Sequence, residues 1–95
     1  MRTELQPIYN NQKSFGSKAY VLTSDTNQSK TLYSYDTKVA SIVEVETNDK
    51  CYTIKAEVYN LQSATTLKHV KEFLTQNNFK AVNKSQIEKD YWVSL

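Results

Sequence analysis

The sequence predicts an α+β domain, a four-stranded antiparallel β-meander followed by two helices packed on one face. Three observations predict it. Residues 37–46 (TKVASIVEVE) and 51–59 (CYTIKAEVY) alternate apolar and polar side chains with a period of two, the pattern of strands with one wet face. The connections between the predicted strands are too short to cross over, so neighbouring strands run antiparallel. In SATTLKHVKEFL, residues 63–74, the apolar Leu67, Val70, Phe73 and Leu74 are spaced to share one face of an α-helix.

Taken in order, residues 1–17 are polar and mixed and read as an N-terminal arm that docks through Ile8, Tyr9 and Phe15. The domain proper runs from 18 to 95. KAYVLT (18–23) is the first strand, SDTNQS (24–29) a polar turn, and KTLYSYD (30–36) the second strand, with Leu32 and Ser34 on one face and Tyr33 and Tyr35 on the other. Asp36 and Thr37 mark a tight turn or a bulge, of which the turn is favoured. In the third strand Val39, Ser41, Val43 and Val45 face one way and Lys38, Ala40, Ile42, Glu44 and Glu46 the other. In the fourth, Tyr52, Ile54, Ala56 and Val58 point inward.

Ser63 and the following threonines supply hydroxyls where the first helix has free N–H groups, and Asn77 and Asn78 stand where it stops. Lys68, His69, Lys71 and Glu72 are expected on its polar face. A capping box, Ser85 with Glu88, opens a second helix from about Gln86 to Trp92, anchored by Ile87 and Tyr91.

A chain of 95 residues with a net charge of +2 holds one domain and is too weakly basic to argue for nucleic acid by charge alone. Lysines gather toward the C-terminal third (Lys68, Lys71, Lys80, Lys84, Lys89), and acids toward the middle (Asp36, Glu44, Glu46, Asp49, Glu57). A single glycine, Gly16, excludes phosphate-cradling glycine-rich loops. One cysteine and one histidine exclude the usual structural zinc patterns, and no cofactor is expected. With no apolar run after Arg2 and none long enough to span a bilayer, a cytoplasmic protein without membrane contact is expected. Cys51 with His69 is the one nucleophilic pair on offer, and its members are expected to point apart, so no enzyme is expected.

The composition is most unusual in its seven tyrosines, more than a core of this size holds with every hydroxyl satisfied. Surface tyrosines suit a protein interface, and tyrosines interleaved with lysines also suit stacking on unpaired bases. The residues expected to contact a partner are Tyr33, Tyr35, Lys38, Lys68, His69, Lys71, Tyr91 and Trp92. Sequence-specific reading of duplex DNA is disfavoured, because Arg2 is the one arginine.

KSFGSKAYVL, KTLYSYDTKVASI and YNLQSATTLKHVKEFLTQNNFKA together resemble a group of small uncharacterised proteins encoded by phages and mobile elements of Firmicutes, with phrases such as SFYGKA, TLYSYNTKVAEI and YSATTLRHIKEFL. The resemblance covers about Ser14 to Ala81 and is strongest over Leu32–Val39 and Ser63–Phe73. It departs at Gly16 and Ser17, where the group has an aromatic residue and glycine, and at Asn78, which replaces a helix-stopping glycine. It implies a stoichiometric binder of a host or phage protein, such as an inhibitor of a CRISPR effector nuclease, acting as a monomer or homodimer. Single-strand nucleic-acid binding is the alternative.

Overall fold

A computed structural model of the chain describes residues 1–9, 14–15, 18–24, 29–46 and 52–93. Five strands, β1 (Arg2–Glu4), β2 (Ala19–Thr23), β3 (Ser29–Ser34), β4 (Thr37–Glu46) and β5 (Tyr52–Val58), precede two helices, α1 (Ala64–Gln76) and α2 (Lys84–Tyr91). The strands form one antiparallel sheet in sequence order, and α1 and α2 pack on one side of it. The α+β class and the meander are as the sequence predicts. The expected turns at 25–28 and 47–50, Gly16 and Cys51 lie outside the described residues.

The additional strand is β1, which the sequence reading leaves in an arm. Its three side chains are exposed, so no apolar alternation marks it. Backbone geometry makes it a strand: Thr3 is paired with Val21, the terminal ammonium donates to Thr23 O at 2.8 Å, and Leu5 N–H donates to Ala19 O. After β1 the chain passes onto α1. Tyr9 N–H donates to Glu72 Oε1 at 2.9 Å, Gln76 Nε2 donates to the Gln6 carbonyl, and the Phe15 ring meets the His69 ring edge-on at 4.7 Å. Docking is therefore by Leu5 and Phe15, both buried, whereas the expected anchors Ile8 and Tyr9 have exposed side chains.

This strap corrects the reading of α1. Lys68 is exposed, as expected of a polar face, but His69 and Glu72 are 1% and 2% exposed. Val70, Phe73 and Leu74 take the sheet side with Leu32, Val39, Ala40 and Val58 in the core. The helix is thus covered on two sides, one of which its sequence marks as wet. Ser63 caps it as predicted, accepting from Thr66 N–H. Asn78 sits at φ 67°, and the Asn78 and Phe79 N–H groups return to the Thr75 and Leu74 carbonyls, a Schellman stop built on asparagine.

The β3–β4 hairpin contains both a turn and a bulge. Tyr35 and Asp36 have φ of 53° and 65°, the two left-handed residues of a type I′ turn, whose twist matches that of the strands. The register then slips between Leu32 and Tyr33, so that Lys38 pairs with Tyr33 and Ala40 with Leu32, leaving Val39 as the extra residue. Val39 and Ala40 are both buried. Strict alternation therefore mispredicts β4: Ala40 and Ile42 share the helix-covered face, and Ser41, Val43 and Val45 lie on the opposite one with Lys38. In β5, Ala56 and Val58 point inward as expected, but Ile54 lies beyond the helices and is 62% exposed.

The second helix starts earlier than expected. Asn83, and not Ser85, is its cap, accepting from Gln86 N–H at 2.9 Å, while Gln86 Oε1 accepts from Val82 N–H. Ile87 is its buried anchor. Trp92 lies past its end, bridged in parallel to Val58, with its side chain half-exposed. Among the described residues no helix is long and apolar enough to cross a membrane.

Candidate functional site

The sheet face turned away from the helices carries a row of side chains running across all the strands. Register sets it. Glu4, Tyr20, Tyr33 and Lys38 are successive cross-strand partners on β1 to β4, and Tyr59, just past β5, is held in line by its N–H bond to Val39 O. Arg2, two residues before Glu4 and on the same face, lays its guanidinium 3.9 Å from the centre of the Tyr20 ring. The other face of Tyr20 is stacked on Tyr33, with centroids 5.1 Å apart and planes within 8°. Lys38 Nζ lies 4.9 Å from the Tyr59 ring centre. Each such contact contributes about 0.5–1 kcal/mol, enough to hold the rings in register before anything binds.

The hydroxyls are held as firmly as the rings. Tyr20 donates to Asp36 Oδ1 at 3.2 Å, and Tyr59 donates to Glu57 Oε1 while Ser41 Oγ donates to Tyr59. Desolvation against its neighbours, and then the hydrogen bond to the Asp36 carboxylate, push the Tyr20 hydroxyl above its ordinary value, so it stays a neutral donor well into alkaline conditions. The stripe thus alternates cation, aromatic ring and carboxylate across the sheet. Leu22 and Val45, both partly exposed on the same face, border it.

The eight residues expected from sequence to form one surface divide into separate groups. Tyr33 and Lys38 lie in the stripe. Tyr35 leaves the strand face for the hairpin turn, where it is 52% exposed and points its ring toward His69, 6.2 Å away. Lys68, Tyr35 and His69 line a cavity at the opposite side of the molecule. Lys71 lines another cavity with Tyr9 and Glu72. The Tyr91 hydroxyl donates to the Lys80 carbonyl, its ring meets Phe79 edge-on, and Trp92 is beside the end of β5. His69 as a solvent-facing contact residue is overturned: sheet on one side and Phe15 on the other enclose it.

Sequence reasoning missed Arg2, Tyr20 and Tyr59 as members of the stripe. Tyr20 was findable, since an antiparallel hairpin closed between Ser24 and Ser29 brings β2 alongside β3, with Tyr20 opposite Tyr33. Arg2 was not, because its strand has no periodic signal. Among the described residues no group of three or more His, Cys, Asp or Glu side chains converges.

A family model matches residues 3–89, nearly the whole chain, from the second residue of the edge strand β1 onward. The chain belongs to the family of unknown function DUF8033. No curated protein and no solved structure matches it. The matched span of this DUF8033 chain takes in five of the six stripe residues, Glu4, Tyr20, Tyr33, Lys38 and Tyr59, and begins at Thr3, beside Arg2.

Proposed function

We propose that this protein acts without catalysis, by stoichiometric binding of another protein through the open face of its sheet. The observation that carries the reading is the Arg2–Tyr20–Tyr33 stack continued by Lys38 over Tyr59. Tyrosine and arginine dominate the energetics of protein interfaces because they offer large amphipathic area, and rings already fixed lose little entropy on binding. Both signs of charge along the stripe favour a partner with an equally mixed surface over a polyanion.

The same geometry weighs against the single-strand alternative. A base needs an open ring face to stack on. Here Tyr20 has Arg2 on one face and Tyr33 on the other, and Lys38 covers Tyr59, so these rings offer edges and hydroxyls. The resemblance of Ser14–Ala81 to proteins of phages and mobile elements supplies the partner class: a bacterial defence protein in the host cytoplasm, such as a CRISPR effector nuclease.

The test is phage infection of a Gram-positive host with active CRISPR immunity that expresses the chain. Restored plaquing, lost at least tenfold in a Tyr33→Ala/Lys38→Glu variant that still folds by circular dichroism, together with a stoichiometric complex with the effector, is the expected result. Absence of both restoration and complex overturns the reading. Retardation of single strands in a low-salt gel shift, weakening steeply as salt is added, replaces it with the nucleic-acid alternative.

A further inference from the structure

The two edges of the sheet are finished differently. At one, the N-terminal residues pair with β2 along its whole length. At the other, β5 is covered at one end alone. Its backbone direction follows from the Tyr59 N–H bond to Val39 O: with Tyr59 turned toward β4, the alternate residues Val58, Ala56 and Ile54 turn their N–H and C=O groups outward. Val58 O accepts from Val93 N–H at 2.9 Å, and Ala56 is buried beside Asp90 and Tyr91 at the end of α2. Ile54 has neither cover. It is 62% exposed, and among the described residues its outward N–H and C=O have no partner. A large apolar side chain beside free backbone groups is what sheet edges are ordinarily built to avoid.

Beside Ile54 lies a groove of about 390 Å³, walled on the helix side by Phe79 and Tyr91. The two rings meet edge-on with centroids 6.0 Å apart, and the Tyr91 hydroxyl is tied to the Lys80 carbonyl, so the wall is set before anything enters. Two charges stand at its rims, on opposite faces of the sheet. Asp90 is on the side of α2. Lys55 is on the open face, opposite Val43, exposed and met by no carboxylate among the described residues. An extended chain laid along β5 turns its side chains alternately to the two faces. Asp90 repels an acidic side chain on the helix side and Lys55 attracts one on the open face, so the alternation that fits is apolar toward the groove and acidic toward Lys55. A second copy does not fit: β5 paired with itself about a two-fold axis at Ile54 or at Lys55 sets the two lysines diagonally or directly opposite.

We propose that the outer edge of β5 at Ile54 takes up, as an added strand, an extended segment of a partner protein in which apolar residues alternate with acidic ones. Ile54 exchanges hydrogen bonds with the backbone of the segment, apolar side chains enter the groove against Ile54, Phe79 and Tyr91, and an acidic side chain pairs with Lys55. This edge is separate from the Arg2–Tyr20–Tyr33 stack, so it stands or falls apart from the reading of that face.

The probes are a capped pentapeptide with serine at both ends, valine at its second and fourth positions and glutamate between them, and its counterpart with lysine for glutamate. In NMR of the full chain the glutamate peptide should move the amide signals of Ile54 and Lys55 saturably, and the lysine peptide should bind about fivefold more weakly. Lys55→Glu should reverse that order. Ile54→Ser should weaken binding of the glutamate peptide by about fivefold. Both substitutions alter exposed side chains, so the fold stays in place to be measured. The Tyr33→Ala/Lys38→Glu variant should bind the peptide as the original chain does. Signals that move with neither peptide, or a preference that Lys55→Glu leaves unchanged, overturn the proposal. The same signals moving with protein concentration in the absence of peptide overturn it in favour of a second copy.

Discussion

His69 ties stability to pH through its own burial. It is held below its ordinary pKa of 6.5 by desolvation first and by Lys18 and Lys68 second. In the unfolded chain the imidazole takes up a proton as pH falls through about 6.5, while in the folded chain it does so only at lower pH. The unfolded state therefore binds more protons in that window, and stability is lost as pH falls, by up to about 1.4 kcal/mol for each unit crossed. Urea unfolding at pH 7.5 and pH 5.0 should show this loss, and a His69→Gln variant should show a smaller one. An equal loss in both would place the sensitive group elsewhere. Phe15, 3% exposed and packed edge-on against the same ring, belongs to this unit. Phe15→Ala should cost about 3–4 kcal/mol, read from the same unfolding curves.

At the scale of elements, α2 separates what periodicity reveals from what it hides. The apolar stripe of α1 and its Ser63 cap were legible because both repeat or terminate a pattern that only a helix satisfies. The Ser85–Glu88 spacing imitates the same signal, yet Asn83 is the residue whose side chain reaches an orphan N–H. Asn83→Ala should therefore cost about 1 kcal/mol of stability. Ser85→Ala should stay within about 0.5 kcal/mol, and a thermal melt of the two variants decides between the two starting points. The bulge at Val39 was illegible for a related reason. Alternation is read one strand at a time, whereas a bulge exists only between two strands, and one inserted residue moves Ala40, Ile42 and everything after them to the other face. Half of the candidate surface was lost the same way: Tyr33 and Lys38 were visible on their own strands, but Arg2 and Tyr20 become neighbours only through the β1–β2 register.

For the molecule as a whole, the N-terminal nine residues do three jobs that a tail would not. They pair with β2 along one edge of the sheet, they occupy the buried Glu72 carboxylate through the Tyr9 N–H, and they deliver Arg2 to the ring of Tyr20. Without them the β2 edge is left as a row of unpaired backbone donors and acceptors, a template for another chain. Glu72 loses the strap that covers it and the Tyr9 N–H, keeping Gln76 as a hydrogen-bond donor among the described residues, and Leu5 no longer fills its place in the core. Deletion of residues 1–9 should accordingly lower the melting temperature below that of the full chain and increase concentration-dependent self-association relative to it. Light scattering after size exclusion, over a tenfold range of concentration, reads the second effect directly. Arg2→Ala separates structure from surface: it leaves the backbone pairing of β1 intact, so it should hold the truncation's effects to a small fraction while weakening partner binding through the loss of one end of the stripe. A truncated chain that stays monomeric with an unchanged melting temperature would mean that the edge strand contributes nothing to the fold, and that α1 tolerates its buried glutamate uncovered.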